Sequence, residues 1–120
     1  MRIDRDQAVE LFTRWMNTAS PVSASCSSGT IVSSMSACLI ESISISRLQL
    51  TAGPCGIDLD FTDDMEFNLF YPPDSPSLMS IDYKLNSAIV ATVEILFAAG
   101  GGCIIAKINM QPRTESTLIS

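Results

Sequence analysis

Asp58, Asp60, Asp63, Asp64 and Glu66 place five carboxylates within a short stretch of a 120-residue chain. Asp58 and Asp60 lie two apart, so on a strand both side chains point to one face. Oxygen ligands of this kind suit a hard cation such as Ca²⁺ or Mg²⁺. The spacing is not that of an EF-hand. Counted from Asp58, the sixth position is Asp63 where glycine is needed, and the twelfth is Leu69 where a glutamate would close the loop. The run Ile57, Asp58, Leu59, Asp60, Phe61 instead alternates as a solvated strand face does. No metal centre is expected; the cluster offers at most a weak cation site.

Histidine is absent from the chain. That removes the commonest general acid or base and the commonest catalytic metal ligand. A Ser-His-Asp or Cys-His arrangement cannot be built within one chain. A serine–lysine pair could draw on Lys84 or Lys107, but no motif positions either lysine. Gly100-Gly101-Gly102 lacks the strand–glycine-loop–helix context of a nucleotide site and reads as a hairpin turn. No catalytic residue and no cofactor is expected.

The 13 acidic and 7 basic residues leave a net charge of −6, and the pI is about 4.3. The basic residues are scattered: Arg2, Arg5, Arg14, Arg47, Lys84, Lys107 and Arg113. Phosphate backbones and anionic membrane surfaces need clustered cations, so neither nucleic acid nor membrane is an expected partner. The opening Arg2-Ile3-Asp4-Arg5-Asp6 has no apolar run behind it and does not read as a secretory signal. The stretch Ala88 to Cys103 holds Glu94 and ends in glycines, too short and broken to span a bilayer as a helix. Cys26, Cys38, Cys55 and Cys103 lie at wide, irregular spacings, each among small or apolar neighbours. They read as buried free thiols, and a cytoplasmic location is expected.

These side chains must be positioned by a small number of elements. Ala8, Leu11, Phe12, Trp15 and Met16 recur at helical spacing and form one apolar stripe. Asp4 stands three residues before Gln7, an approximate capping box, and Pro21 closes the segment. A helix is therefore expected from about 4 to 17, with Phe12 and Trp15 packed on a sheet. After Pro21 the period becomes two. Val22, Ala24 and Cys26 alternate with serines. Small and apolar residues continue from Ile31 to Ile45, followed by Leu48-Gln49-Leu50, Ile57 to Phe61 and Phe67-Asn68-Leu69. A β-meander is expected over 22–71, a Pro-rich loop at 72–76, a C-terminal hairpin over 88–110 and a frayed tail at 111–120. The whole forms one domain of mainly β (α+β) class.

The hairpin's first strand is apolar on both sides. Ile89, Ala91, Val93 and Ile95 fall on one face, and Val90 and Leu96 on the other. A strand of that kind must be covered twice. With no second helix expected, a second subunit is the simplest cover. A homo-oligomer is expected, with Ile89, Val90, Val93, Ile95, Leu96 and Ile105 as interface candidates.

Leu11-Phe12-Thr13-Arg14-Trp15, Ser20-Pro21-Val22, Leu48-Gln49-Leu50, Phe67-Asn68-Leu69-Phe70-Tyr71 and Pro73-Asp74 together resemble small uncharacterised bacterial proteins. Those proteins begin with a Trp-bearing helix and continue into a β-meander. The order of elements is also similar to the Sm-like small barrel, an N-terminal helix laid on a strongly bent antiparallel sheet. That resemblance implies a curved or partly open small barrel and ring-like or dimeric assembly. The Sm family's RNA-reading turn is short, basic and glycine-bearing. Phe61-Thr62-Asp63-Asp64-Met65 is acidic and lacks glycine, so the RNA function is not implied here.

Two function classes follow. One is a non-enzymatic, self-associating structural or interaction domain. The other is a small-molecule-binding protein or enzyme with a pocket between helix and sheet, lined by Met16, Met35, Met65, Phe67 and Met79.

Overall fold

The computed structural model describes residues 1–28, 31–71 and 89–108 (main chain only at 28 and 31–36). The Pro-rich loop at 72–76, Lys84, Met79 and the tail at 111–120 lie outside the described residues.

Helix α1 runs Arg5–Asn17. Its start is a full capping box. The Asp4 carboxylate accepts from the Gln7 backbone N–H at 2.8 Å, and the Gln7 side chain accepts from the Asp4 N–H at 2.9 Å. Its end is a Schellman motif: the Ser20 N–H donates to the Trp15 carbonyl and the Ala19 N–H to the Met16 carbonyl, both at 3.0 Å. Ala19 therefore occupies the left-handed position, φ 52°, that glycine usually fills. Ala8, Phe12 and Trp15 share one buried face, with Phe12 and Trp15 edge to face at 5.6 Å.

Eight strands are described: β1 Arg2–Ile3, β2 Val22–Ser28, β3 Ile31–Ile43, β4 Arg47–Ala52, β5 Cys55–Asp60, β6 Glu66–Phe70, β7 Ile89–Leu96 and β8 Gly102–Ile108. They form one antiparallel sheet in the order β1-β6-β7-β8-β2-β3-β4-β5. The fold is thus mainly β, with one N-terminal helix packed on an antiparallel sheet that is not closed. The meander expected over 22–71 is interrupted. It holds for β2 to β5, but β6 does not pair with β5 and lies between β1 and β7 instead. The C-terminal hairpin inserts its second strand beside β2 and joins the two halves. Strand periodicity reports that a segment is a strand; it carries no information on its neighbour.

Strands β5 and β6 are consecutive in sequence yet six strand spacings apart in the sheet. In a flat sheet they would be separated by about 29 Å at ~4.8 Å per strand. The chain from Asp60 to Glu66 reaches about 21 Å at full extension. The sheet must therefore curl until its two ends approach. Phe61, just after β5, stacks edge to face on Phe67 of β6 at 5.5 Å. Bulges supply the bend. The β2–β3 register shifts beside Ala37, whose φ is 55°, and the β3–β4 register shifts at Glu41. Helix α1 packs inside this curve, against β3 and β6.

The concave side holds the core: Phe12 and Trp15 of α1 with Val22, Leu48, Leu50, Phe67, Val93, Ile95 and Ile105. Across the β2–β8 seam, Cys26 and Cys103 face each other directly, Cα to Cα 4.0 Å, and form a disulfide. This corrects the expectation of four buried free thiols. Cys38 is free and buried, while Cys55 is free and exposed. Wide sequence spacing conceals a cross-strand pair, because the register that opposes the two residues is a tertiary fact.

The expected faces of the hairpin also need correction. A bulge at Val90 shifts the β7–β8 register, so Ile89 joins Ala106 on the opposite side from Ala91, Val93 and Ile95. Both faces of β7 are buried within the single chain, including Thr92 and Glu94.

Two substitutions probe this description. Trp15→Ala removes a large side chain from the concave core and is expected to lower unfolding free energy by about 3–5 kcal/mol in urea titrations. Ala19→Gly relieves a left-handed alanine in the Schellman motif and is expected to raise stability by about 1 kcal/mol. A neutral or negative effect of Ala19→Gly would show that this helix end is held by something other than the capping geometry.

Candidate functional site

The β4–β5 hairpin is the end of the open sheet. Its two-residue loop, Gly53-Pro54, joins Ala52 to Cys55, which oppose each other. Gly53 has φ 63°, as the first central position of a type II′ turn requires, and Pro54 suits the second. The sequence places the turn over Gly53 to Gly56, but the strand resumes at Cys55. From there the pairing to β4 is unbroken through Asp60, with no bulge.

In a hairpin of this kind the residues flanking the loop exchange both backbone hydrogen bonds with each other. Alternation then directs the N–H and C=O groups of Ile57 and Leu59 toward β4. Those of Gly56, Asp58 and Asp60 point away from the sheet. Among the described residues β5 has no second neighbour, and Cys55, Gly56, Asp58 and Asp60 are exposed. The opposite end of the sheet differs. There β1 is two residues long and is tied down by the Met1 ammonium, which donates to the Leu69 carbonyl at 3.0 Å.

Side chains on β5 alternate cleanly. Ile57 and Leu59 are half-buried against the core. Asp58 and Asp60 stand on the convex side. The Arg47 guanidinium donates to Asp60 at 2.7 Å, and this contact raises the arginine above its ordinary value. The Gln49 amide donates to Asp58 at 3.3 Å. The other three carboxylates are drawn elsewhere. Asp63 pairs with Arg5 at 3.0 Å, Glu66 pairs with Arg2 at 3.2 Å, and Asp64 accepts from the Thr62 hydroxyl. Asp58, Asp60, Asp63, Asp64 and Glu66 are therefore neighbours in sequence with separate partners in space. No group of three or more histidine, cysteine, aspartate or glutamate side chains could hold a metal among the described residues.

Of the interface candidates, Val93, Ile95 and Ile105 are core residues, Ile89 is buried, and Leu96 is half-buried. Val90 alone of the six is exposed, at 40%, because it sits in the bulge. The space between helix and sheet is filled by Ala8, Phe12 and Trp15. Met16 packs at the margin of that core. Met65 and Phe67 line an open surface cleft of about 470 Å³ with Arg2, Arg5, Asp63 and Glu66. The Met35 side chain lies outside the described residues.

The cysteines are the remaining reactive groups. The Cys38 thiol donates to the Val22 carbonyl at 3.2 Å. Burial pushes its pKa up, with a hydrogen bond from its own backbone pulling the other way. Less thiolate forms, so the group is unreactive. No described helix is long and apolar enough to cross a membrane.

Sequence reasoning did not single out Gly56 or the edge formed by β5. The alternation of Ile57 and Leu59 was visible, but an edge strand and an inner strand share that pattern. In comparisons with known proteins no family model fits the chain, and no curated protein or solved structure matches it.

Thiol titration checks the cysteine assignment. In dilute solution without reductant, the folded protein should show one fast-reacting thiol, Cys55. A second, Cys38, should appear only on denaturation, and two more only after reduction. Four reactive thiols in denatured, unreduced protein would rule out the Cys26–Cys103 bridge.

Proposed function

We propose that this chain is a non-enzymatic interaction domain that self-associates by strand addition at β5. The carrying observation is the edge itself: six residues in unbroken register, four of them exposed, free of proline, lysine and bulges and charged only at Asp58 and Asp60 on the convex face. Proteins that stay monomeric ordinarily blunt such edges with those devices. An unblunted edge recruits another strand through main-chain hydrogen bonds, and the alternate side chains supply selectivity. The self-association expected from the sequence is kept, but its place moves. Most of the β7–β8 hairpin is buried within the single chain, whereas Cys55, Gly56, Asp58 and Asp60 of β5 are exposed.

The chain's electrostatics support the same class. Arg2, Arg5, Arg14 and Arg47 are each committed to a carboxylate. Few cations are left for phosphate, which favours a protein partner over RNA or DNA. Of the Sm-like resemblance, this reading retains assembly and omits RNA. The pocket-bearing alternative is weakened by the packed helix–sheet interface. The expected cytoplasmic location belongs to this proposal with one condition. Disulfides persist poorly against cytosolic glutathione, so the half-buried Cys26–Cys103 bridge must resist reduction there.

Sedimentation equilibrium at tens of micromolar tests the proposal. Wild-type protein should associate reversibly. Asp58→Pro removes an outward N–H that β4 does not use, and should yield a monomer with an unchanged circular dichroism spectrum. A monomeric wild type, or association indifferent to Asp58→Pro, would end this reading.

A further inference from the structure

We infer that the strand received by β5 is β5 of a second copy, antiparallel, with Ile57 on the two-fold axis. The inference rests on the reading of β5 as a docking edge and adds the identity and register of its partner.

The outward groups belong to Gly56, Asp58 and Asp60, so a new ladder must bond these positions to one another. Two-fold symmetry leaves a short set of registers. Placing Asp58 on the axis sets it against the partner's Asp58. Placing Leu59 there sets Asp58 against the partner's Asp60. Like charges directly opposite destabilise a strand pair, so both are disfavoured. With Gly56 on the axis, Asp58 falls opposite the partner's Pro54, and the ladder runs into the turn. With Ile57 on the axis, Gly56 opposes the partner's Asp58, and Cys55 opposes the partner's Leu59. This is the longest ladder in which no carboxylate meets another.

The same register is self-complementary on the core side. Cys55, Ile57 and Leu59 form the apolar alternation of β5, and Cys55 is exposed while Ile57 and Leu59 are half-buried in one chain. Paired about Ile57, the three meet the same three in reverse order and extend the concave apolar surface across the axis. On the convex side each Asp58 faces a glycine, which leaves its carboxylate room to keep its contact with Gln49.

Disulfide trapping in the full chain tests the register. Directly opposed residues at a non-hydrogen-bonded position lie about 4.5 Å apart at Cα, within reach of a disulfide. Ile57→Cys, in a Cys55→Ser background, should form a covalent dimer under oxidised glutathione. Two thiols give up two protons and two electrons, and one oxidised glutathione takes them up and leaves as two reduced molecules. Leu59→Cys in the same background should not cross-link to itself. Leu59→Cys with Cys55 retained should cross-link between positions 55 and 59 of the two copies. As a measurement without substitutions at the edge, amide exchange at Gly56 and Asp58 should slow as wild-type concentration rises. If association is present and lost in Asp58→Pro, but position 57 does not cross-link, the register is wrong and the docking edge stands. If no association and no concentration-dependent protection are found, the edge reading fails and this inference fails with it.

Discussion

The link from Asp60 to Glu66 governs the architecture. Five residues, Phe61 to Met65, connect strands that the sheet order places six spacings apart. A flat sheet cannot satisfy that link, so curvature is a requirement. The curl creates a concave side, and the concave side is where α1 and its Phe12–Trp15 pair find cover. The Phe61–Phe67 contact then fastens the two ends of the curl. Without the bulges beside Ala37 and at Glu41, β3 would have to bend through its regular pleat, which straight ladders resist.

Curling without closing leaves the sheet with two unlike ends. One end is occupied by the N-terminus. There β1, the Met1 ammonium and the Arg2–Glu66 and Arg5–Asp63 pairs bind the opening residues to β6 and to the link. These exposed ion pairs are worth little in stability individually. Three members of the acidic cluster, Asp60, Asp63 and Glu66, thus neutralise arginines from different elements, while Asp58 and Asp64 accept from Gln49 and Thr62. The other end is β5, where Arg47–Asp60 and Gln49–Asp58 organise the convex face and the backbone edge has no second strand among the described residues. A site for chemistry would need these carboxylates to converge, and the ladder keeps them apart.

Among the described residues the sheet's halves are joined by hydrogen bonds through β2 and β8, and Cys26–Cys103 crosses that seam. The bridge encloses a loop of 77 residues' separation that contains β3 to β7. A cross-link over a loop this long restricts the unfolded chain strongly in the chain-entropy account. It also holds together strands that are far apart in sequence and come together late by contact-order reasoning.

Much of the local structure was legible in the residues. The apolar stripe Ala8, Phe12, Trp15 and the pair Asp4 and Gln7 specified the helix and its start, because caps and periodicity are short-range. The alternation of Ile57, Asp58, Leu59 and Asp60 identified a strand with one solvated face, and the exposure of both aspartates agrees. The tertiary structure decided everything that depends on neighbours. It separated β6 from β5, paired Cys26 with Cys103, moved Ile89 across the sheet through the bulge at Val90, and covered both faces of β7 within one chain. Side-chain periodicity encodes which way a residue points relative to its own strand. Strand order and register depend on contacts made between residues tens of positions apart, and the alternating pattern is the same whichever strand lies alongside.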